Sequence, residues 1–131
     1  MHAPHTHHRF FVLGCLSAAI GVAAGAFGAH GLKSLLSPDR LAVYETAVRY
    51  QMYHAFGLLA AAYIVEPTAS PLAQFAGWCF IGGTILFSGS LYALTLSGQR
   101  WLGAVTPLGG IAFIAGWILL AAGAWKQNAQ S

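Results

Sequence analysis

Two stretches of the sequence bring together residue types that carry out chemistry in other proteins. The first, GAFGAHGLKS at residues 25–34, has spaced glycines, a lysine and a hydroxyl residue, as a phosphate-binding loop does. In such a loop the lysine directly follows the last glycine, whereas here Leu32 intervenes, and the stretch ends an apolar helical run instead of following a strand. No acidic residue is placed to hold Mg²⁺. This stretch therefore predicts no nucleotide binding.

The same stretch fits the end of an apolar helix. Gly31 can act as the C-cap, because glycine adopts the left-handed conformation at little cost. Lys33 then lies near the negative helix end and the lipid headgroups. His30 is required by neither packing nor anchoring, and it could hydrogen-bond the last carbonyl groups or the next helix. We therefore keep His30 as a candidate functional residue.

The second stretch, ETAVRYQMYH at residues 45–54, is the other concentration of polar side chains. Glu45 and Arg49 are four residues apart, in the order that favours an ion pair along a helix, and Tyr53 extends that face. His54 projects from the opposite side and is expected to point into a bundle. An ionisable residue inside a membrane is a functional candidate by default. The simpler interpretation is a neutral histidine that makes one structural hydrogen bond.

No constellation in the sequence indicates a catalytic centre. There is no Ser–His–Asp set, carboxylate pair or zinc-ligand spacing, and Cys15 and Cys79 fall in separate apolar segments. His30 and His54 could in principle hold a haem iron between helices, but two histidines are a weak signal. The histidine-rich start, residues 1–9, lacks a fixed ligand geometry. We expect no enzyme, no metal site and no cofactor.

The composition indicates which elements position these residues. Hydrophobic residues make up 57% of the chain and charged residues 7%, against about 25% charged in soluble domains. Intervals without Asp, Glu, Lys or Arg cover 10–32, 50–65, 67–99 and 101–125. A helix needs roughly 20 apolar residues to cross a bilayer, and the shortest interval can be completed by the residues before it. The sequence therefore predicts an integral membrane protein.

Helix start and stop signals divide the chain into four spans. Ser-Pro pairs at 37–38 and 70–71 place a capping residue before a proline, as at helix starts, and Pro67 predicts the end of the second helix. The expected spans are 10–30, 38–65, 71–97 and 101–125, within one domain, 10–126, between a polar tail, 1–9, and a C-terminal tail, 127–131. The fourth span could instead begin at Pro107. The first helix is expected to remain in the protein, because its apolar pattern continues past two sequences that resemble signal-cleavage sites.

Glycines recur at helical spacing in three of the four spans. Glycine is costly inside a helix, so in a membrane it is kept where two helix backbones approach closely. The expected packing residues are Gly14, Gly21, Gly25 and Gly28 in the first span, Gly82 and Gly89 in the third, and Gly109, Gly116 and Gly123 in the fourth. The predicted fold is therefore all-α, an integral membrane four-helix bundle with glycine-rich helix interfaces.

Lysine and arginine in the short loops set the expected orientation. Four of the six lie in or beside the connections that follow the first and third spans, while Arg9 and Lys126 lie on the opposite side. This bias places both termini outside the cytoplasm, for a protein of the bacterial inner (plasma) membrane. No basic stripe indicates nucleic acid. The expected partners are the lipid bilayer and further protein, as a homo-oligomer or a larger membrane complex.

Four patches of the sequence resemble a known family. GAFGAHGLK, ETAVRYQMYH, LFSGSLYAL and WLGAVTPLGG occur in the order and at the spacing of the YgdD/YwdK-like small inner-membrane proteins. That family is also known as domain of unknown function 423, and it has a eukaryotic relative called transmembrane protein 256. The resemblance covers residues 10–125. It implies a four-helix integral membrane protein, and it implies no reaction and no catalytic residue.

Two functions are compatible with these features. The first is a non-enzymatic packing or assembly component of the membrane that uses the glycine faces. The alternative is a small transporter or ion-conducting subunit with a polar cluster near its cytoplasmic mouth. The residues of that cluster are His30, Glu45, Arg49, Tyr53 and His54. A connected polar cavity around them would favour transport, and a dry, fully bonded arrangement would favour a structural role.

Overall fold

The computed structural model describes residues 3–68 and 70–130, with side chains for 5–66 and 70–130. Four long helices make up most of it: α1, Ala3–Phe27; α2, Pro38–Thr68; α3, Pro71–Ser97; and α4, Thr106–Ala129. A π-helical segment, Gly28–Leu32, extends α1, and a 3₁₀ segment, Arg100–Ala104, precedes α4. The described ranges contain no β-strand. The predicted all-α fold with four helices is confirmed.

Three of the described helices are long and apolar enough to cross a membrane. They are His5–Leu32, Pro71–Ser97 and Arg100–Ala129. α2, which was expected to be the second span, is not among them, because charged and polar residues are spread along its sequence. It packs against all three other helices, so its neighbours shield much of its surface from lipid. A shielded helix needs fewer apolar side chains than one that lipid surrounds.

Consecutive helices run antiparallel. Gly14, in the first half of α1, lies against Leu59, late in α2, and Gly28 lies against Tyr44, early in α2. The same reversal relates α2 to α3 and α3 to α4. Within the described ranges α1 and α4 do not contact each other. The hairpin of α2 and α3 therefore forms the centre of the bundle, with α1 packed mainly on α2 and α4 packed mainly on α3.

Aromatic rings fill the interior where glycines make room for them. Phe10 and Phe80 are fully buried. A Cβ atom on Gly77 would lie 2.4 Å from the ring of Phe10, and one on Gly116 would lie 2.7 Å from the ring of Phe80. Each ring thus occupies the volume that a side chain would need on the facing helix. This is the close approach for which glycine is retained inside membrane helices.

The predicted helix caps are present. Ser37 Oγ accepts a hydrogen bond from the backbone N–H of Arg40 at 3.4 Å, which starts α2. Ser70 Oγ accepts from the N–H of Ala73 at 3.4 Å, which starts α3. Gly98 ends α3 in the left-handed conformation, with φ of 77°. The serine caps placed the starts of α2 and α3 correctly.

Other helix boundaries differ from the expected ones. α1 begins at Ala3 instead of Phe10, so part of the segment expected to be a polar tail is helical. α2 continues to Thr68, because a proline disfavours helix in the residue before it without forbidding it. α4 begins at Thr106, with Pro107 in its first turn. Of the two starts considered for the fourth helix, residue 101 and Pro107, the structure therefore agrees with the one at Pro107.

Gly31 is not a left-handed helix cap. Among the described glycines only Gly98 has a positive φ. Gly31 lies inside the π-helical segment, which is followed by Lys33 in the right-handed conformation, with φ of −57° and ψ of −34°. A Cβ atom on Gly31 would lie 2.7 Å from the ring of Phe27. The C-cap interpretation is wrong, because this glycine accommodates an aromatic ring while the helix continues with wider turns.

Candidate functional site

The polar residues expected to form one cluster lie on different parts of the structure. Glu45 and Arg49 are exposed, and in the part of the chain with described side chains neither forms an ion pair. Their favourable spacing is not enough to form an ion pair, because exposed charges gain little from pairing and lose side-chain entropy when they pair. Tyr53 and His54 instead share a groove between α2 and α4.

His30 lies far from His54 along the bundle. It is exposed in the π-helical segment, at the level where Gly28 contacts Tyr44 of α2. His54 follows Tyr44 along α2 at a distance of roughly 15 Å, at 1.5 Å per residue. The two histidines are therefore not placed to hold one haem iron, and His30 does not share a site with Tyr53.

His54 is fixed by hydrogen bonds to both ring nitrogens. The indole N–H of Trp117 donates to Nε2 at 3.1 Å, and Nδ1 lies 2.6 Å from the carbonyl oxygen of Tyr50. Because an indole nitrogen can only donate, Nε2 is the acceptor, and the proton lies on Nδ1, which donates to Tyr50. The ring is thus the neutral Nδ1–H tautomer. It links α2 to α4 and leaves no ring nitrogen for a metal.

Aromatic rings surround this histidine. The imidazole is 4% exposed, and the ring of Phe113 stacks on it with centroids 3.4 Å apart and planes 3° apart. Beside this pair, the ring of Tyr50 stacks on Phe87 with centroids 4.5 Å apart. Side chains from α2, α3 and α4 therefore meet in one layered aromatic cluster.

The groove over this cluster, named here the α2–α4 groove, has a volume of about 690 Å³. Its lining is mostly aromatic: Tyr50, Tyr53, His54, Phe56, Phe87, Gly110, Phe113, Ile114 and Trp117. Tyr53 is 49% exposed and Trp117 43% exposed, so the groove opens on the outside of the bundle. Of the five predicted candidates only Tyr53 and His54 line it. The five residues therefore do not share this groove.

A second group of polar residues lies between α1, α2 and α3, and sequence reasoning missed it. The amide nitrogen of Gln51 donates to the carbonyl oxygen of Ser17 at 3.0 Å, and the hydroxyl of Tyr92 donates to the amide oxygen of Gln51 at 2.7 Å. The hydroxyl of Tyr44 donates to the carbonyl oxygen of Ala24 at 2.8 Å. Tyr44 and Gln51 are seven residues apart, in and beside ETAVRYQMYH, so they lie on one face of the helix. That spacing was the sequence signal that could have predicted this polar group.

Glycines of α1 expose the carbonyl groups that accept these bonds. Ser17 precedes Gly21 by four residues, and Ala24 precedes Gly28 by four residues. A helical side chain covers the turn that precedes it, so glycine leaves the carbonyl of that turn open. A Cβ atom on Gly28 would lie 2.7 Å from the ring of Tyr44. The glycine face of α1 therefore serves hydrogen bonding as well as packing.

Most of the predicted packing glycines face a neighbouring helix. Those of α1 and its π-helical extension that face α2 are Gly14, Gly21, Gly25 and Gly28, and those of α4 that face α3 are Gly109, Gly116 and Gly123. In each case a Cβ atom would lie within 3.4 Å of an atom of the facing helix. These two helices thus use glycines seven residues apart in the same way.

Among the described residues, Gly82 and Gly89 of α3 do not pack on another helix. A Cβ atom on Gly82 would meet nothing within 4 Å, and one on Gly89 would meet only a carbonyl oxygen of α3 itself. The glycines of α3 that do pack are Gly77 and Gly83, where a Cβ atom would lie 2.4 and 2.5 Å from phenylalanine rings of α1 and α4. Spacing alone does not distinguish adjacent glycines such as 82 and 83, so the sequence did not show which of them faces the bundle, and packing of Gly82 and Gly89 on another chain stays a prediction.

Comparison with known proteins places the chain in a family. Residues 24–110 match the family described as a protein of unknown function, DUF423. A UPF0382 membrane protein of Staphylococcus saprophyticus is 49% identical over 117 residues, which are 89% of this chain and 97% of that protein. The UPF0382 membrane protein YwdK of Bacillus subtilis is 44% identical over 118 residues, which are 89% of this chain and 96% of that protein. No solved structure matches the chain. The names of these relatives agree with the three helices that are long and apolar enough to cross a membrane, and the chain belongs to the DUF423 family of membrane proteins of unknown function.

Proposed function

We propose that the protein is a non-enzymatic assembly component of the membrane that pairs with a second copy of itself. The pairing surface is the outer face of α3, made by Gly82, Leu86, Gly89 and Ala93. The observation that carries the proposal is the open space over Gly82 and Gly89. In this chain the other heptad-spaced glycines, on α1 and α4, are each covered by a helix.

The chemistry of the face supports an identical partner. Small residues allow helix backbones to approach closely where lipid provides no hydrophobic drive. A face whose small residues recur at the same spacing can pack on its own copy about a two-fold axis. Leu86 lies between the two glycines and is 37% exposed, so it can fill the space that the partner's glycines leave.

The polar interior supports a role without catalysis. His54, Gln51 and Tyr92 use their polar atoms to join helices. The transporter alternative needed His30, Glu45, Arg49, Tyr53 and His54 as one polar cluster near the cytoplasmic mouth. The first three are exposed outside the α2–α4 groove, which only Tyr53 and His54 line.

The assembly proposal is tested by the mass of the purified protein in detergent, measured by light scattering. Gly82→Leu combined with Gly89→Leu should convert dimer to monomer, while the fold persists because both sites face open space. Ala121→Leu is the matched control, since Ala121 is exposed on α4. A wild-type protein that stays monomeric at all concentrations, or an unchanged dimer in the double variant, would refute the proposal.

We further propose that the protein lies in the bacterial inner membrane with both termini outside the cytoplasm. The connections after α1 and after α3 lie at one end of the bundle, because consecutive helices are antiparallel. Lys33, Arg40 and Arg100 lie at that end, and cytoplasmic loops are enriched in such residues. Alkaline phosphatase fused to the C terminus should then be active and a fluorescent protein dark. The reverse pattern would contradict this orientation.

A further inference from the structure

The α2–α4 groove has walls that are held in place by the bundle itself. His54 is fixed at both ring nitrogens, and Phe113 lies flat against it. Tyr50 and Phe87 form a second stack at 28° between planes. Binding sites formed in advance lose little freedom when a ligand enters. The arrangement of these rings is therefore suited to binding.

The space in the groove depends on a glycine of α4. A Cβ atom on Gly110 would lie 3.9 Å from the nearest ring atoms of Phe87, so a larger side chain there would project into the groove. The volume of about 690 Å³ lies within the range of roughly 300–1,000 Å³ typical of ligand sites. Because the groove opens on the surface of an apolar helix bundle, a ligand would enter it from the lipid.

The lining specifies the chemistry of the ligand. No lining side chain carries a formal charge when His54 is neutral, so a charged ligand would have no counter-ion there. Tyr50 and Tyr53 contribute phenol hydroxyls, and among the described residues neither hydroxyl has a protein partner. In apolar surroundings such a donor gains from an acceptor on the ligand. The Trp117 N–H is already bound to His54, which leaves the phenols as the available donors.

We propose that the α2–α4 groove binds a flat, lipid-soluble ring compound that carries carbonyl acceptors, of the benzoquinone class. Its ring would stack on the aromatic walls, and its carbonyl oxygens would accept hydrogen bonds from Tyr50 and Tyr53. An acyl chain would use the apolar walls but leave both phenols unpaired. The groove shares no residue with the outer face of α3, so this site is independent of the assembly proposal.

The binding test uses tryptophan fluorescence and a short-chain benzoquinone as the probe, with protein in nanodiscs. Trp78, Trp101 and Trp125 are first replaced by phenylalanine; all three are exposed, and Trp117 remains as the reporter. Quenching by the benzoquinone should saturate. Gly110→Leu should weaken binding at least about tenfold, because the leucine occupies ligand volume. Gly82→Leu, on the outer face of α3, is the matched control and should bind as the parent does.

Tyr53→Phe keeps the shape of the groove and removes one donor, so it tests the ligand class even if Gly110→Leu does not fold. Its affinity for the benzoquinone should fall about fivefold, as expected for one lost hydrogen bond. Quenching that rises without saturation, equally in the parent and in Gly110→Leu, would overturn the site. Displacement by a fatty acid, together with an unchanged affinity in Tyr53→Phe, would overturn the ring compound in favour of an acyl chain.

Discussion

Trp117 of α4 donates its indole N–H to Nε2 of His54 in α2, across 3.1 Å. The bond joins two helices that are not consecutive in the chain, and it does so inside the aromatic cluster. A histidine held in this way acts as a neutral acceptor and donor at a fixed position. Its contribution is to the geometry of the cluster, and that contribution can be measured through stability.

Replacing Trp117 by phenylalanine should remove this bond and keep most of the packing. We expect the free energy of unfolding to fall by about 1 kcal/mol, and by about 2–4 kcal/mol in His54→Ala, which also leaves a cavity under Phe113. Both values are measured by denaturation in mixed micelles. Trp101→Phe is the control, because Trp101 is 65% exposed. Equal stability of Trp117→Phe and the control would contradict this role.

Glycine-to-alanine substitutions should change the free energy of unfolding in opposite directions on two faces, the face of α4 that packs on α3 and the outer face of α3. A Cβ atom on Gly116 would lie 2.7 Å from the fully buried ring of Phe80, so Gly116→Ala should destabilise the bundle by about 1–3 kcal/mol. A Cβ atom on Gly82 meets nothing within 4 Å, so Gly82→Ala should stabilise the monomer by about 0.5–1 kcal/mol through helix propensity. Unfolding in dilute detergent compares the two. The same sign in both variants would show that the two faces are misassigned.

The hydrogen bond from Tyr92 to Gln51 should appear as a coupling energy in a double-mutant cycle that measures the free energy of unfolding. Gln51→Leu should cost more than Tyr92→Phe, because it also removes the bond to the carbonyl oxygen of Ser17 and leaves the Tyr92 hydroxyl without its acceptor. The double variant should recover about 0.6 kcal/mol relative to the sum, the average for bonds between membrane helices. Tyr63→Phe is the control, at 75% exposure. Strict additivity in the cycle would mean that the two side chains do not interact.

Arg40 should hold the end of α3. Its guanidinium donates to the carbonyl oxygen of Thr95 in the last turn of that helix, where a cation is favoured by the helix dipole. In Arg40→Ala, hydrogen exchange of the backbone amides at 94–98 should become faster. Arg49→Ala is the matched control, since Arg49 is exposed and makes no ion pair within the described side chains. Unchanged exchange in Arg40→Ala would contradict the link.

The fold was predictable where short-range signals decide it. Intervals without charge predicted the apolar helices, and the hydroxyls of Ser37 and Ser70 predicted two helix starts, because a cap depends on neighbours within one turn. The start of α1 and the end of α2 were harder to predict from the sequence. Pro67 disfavours helix in the residue before it without preventing it, so α2 continues past the expected end. No residue between the N-terminal histidines and Phe10 interrupts a helix, so α1 begins earlier than expected.

The candidate site was predictable only in part, because it depends on the neighbours that each side chain meets. Glu45 and Arg49 were predicted as candidates because they are charged, but both are exposed. Gln51 carries no charge, and its importance depends on a carbonyl of another helix. His54 was expected to point inward and does so, but its partner Trp117 lies 63 positions away in the chain. No local pattern connects two such residues.

The lack of contact between the described residues of α1 and α4 has a consequence for how the protein is made. All of the extensive interfaces join helices that are neighbours in the sequence. Each helix leaving the ribosome can therefore dock on the one made just before it, and no helix needs to wait for a distant partner. Topologies dominated by local contacts fold quickly. We therefore expect the order of synthesis to be also the order of assembly, with α4 completing the aromatic cluster last.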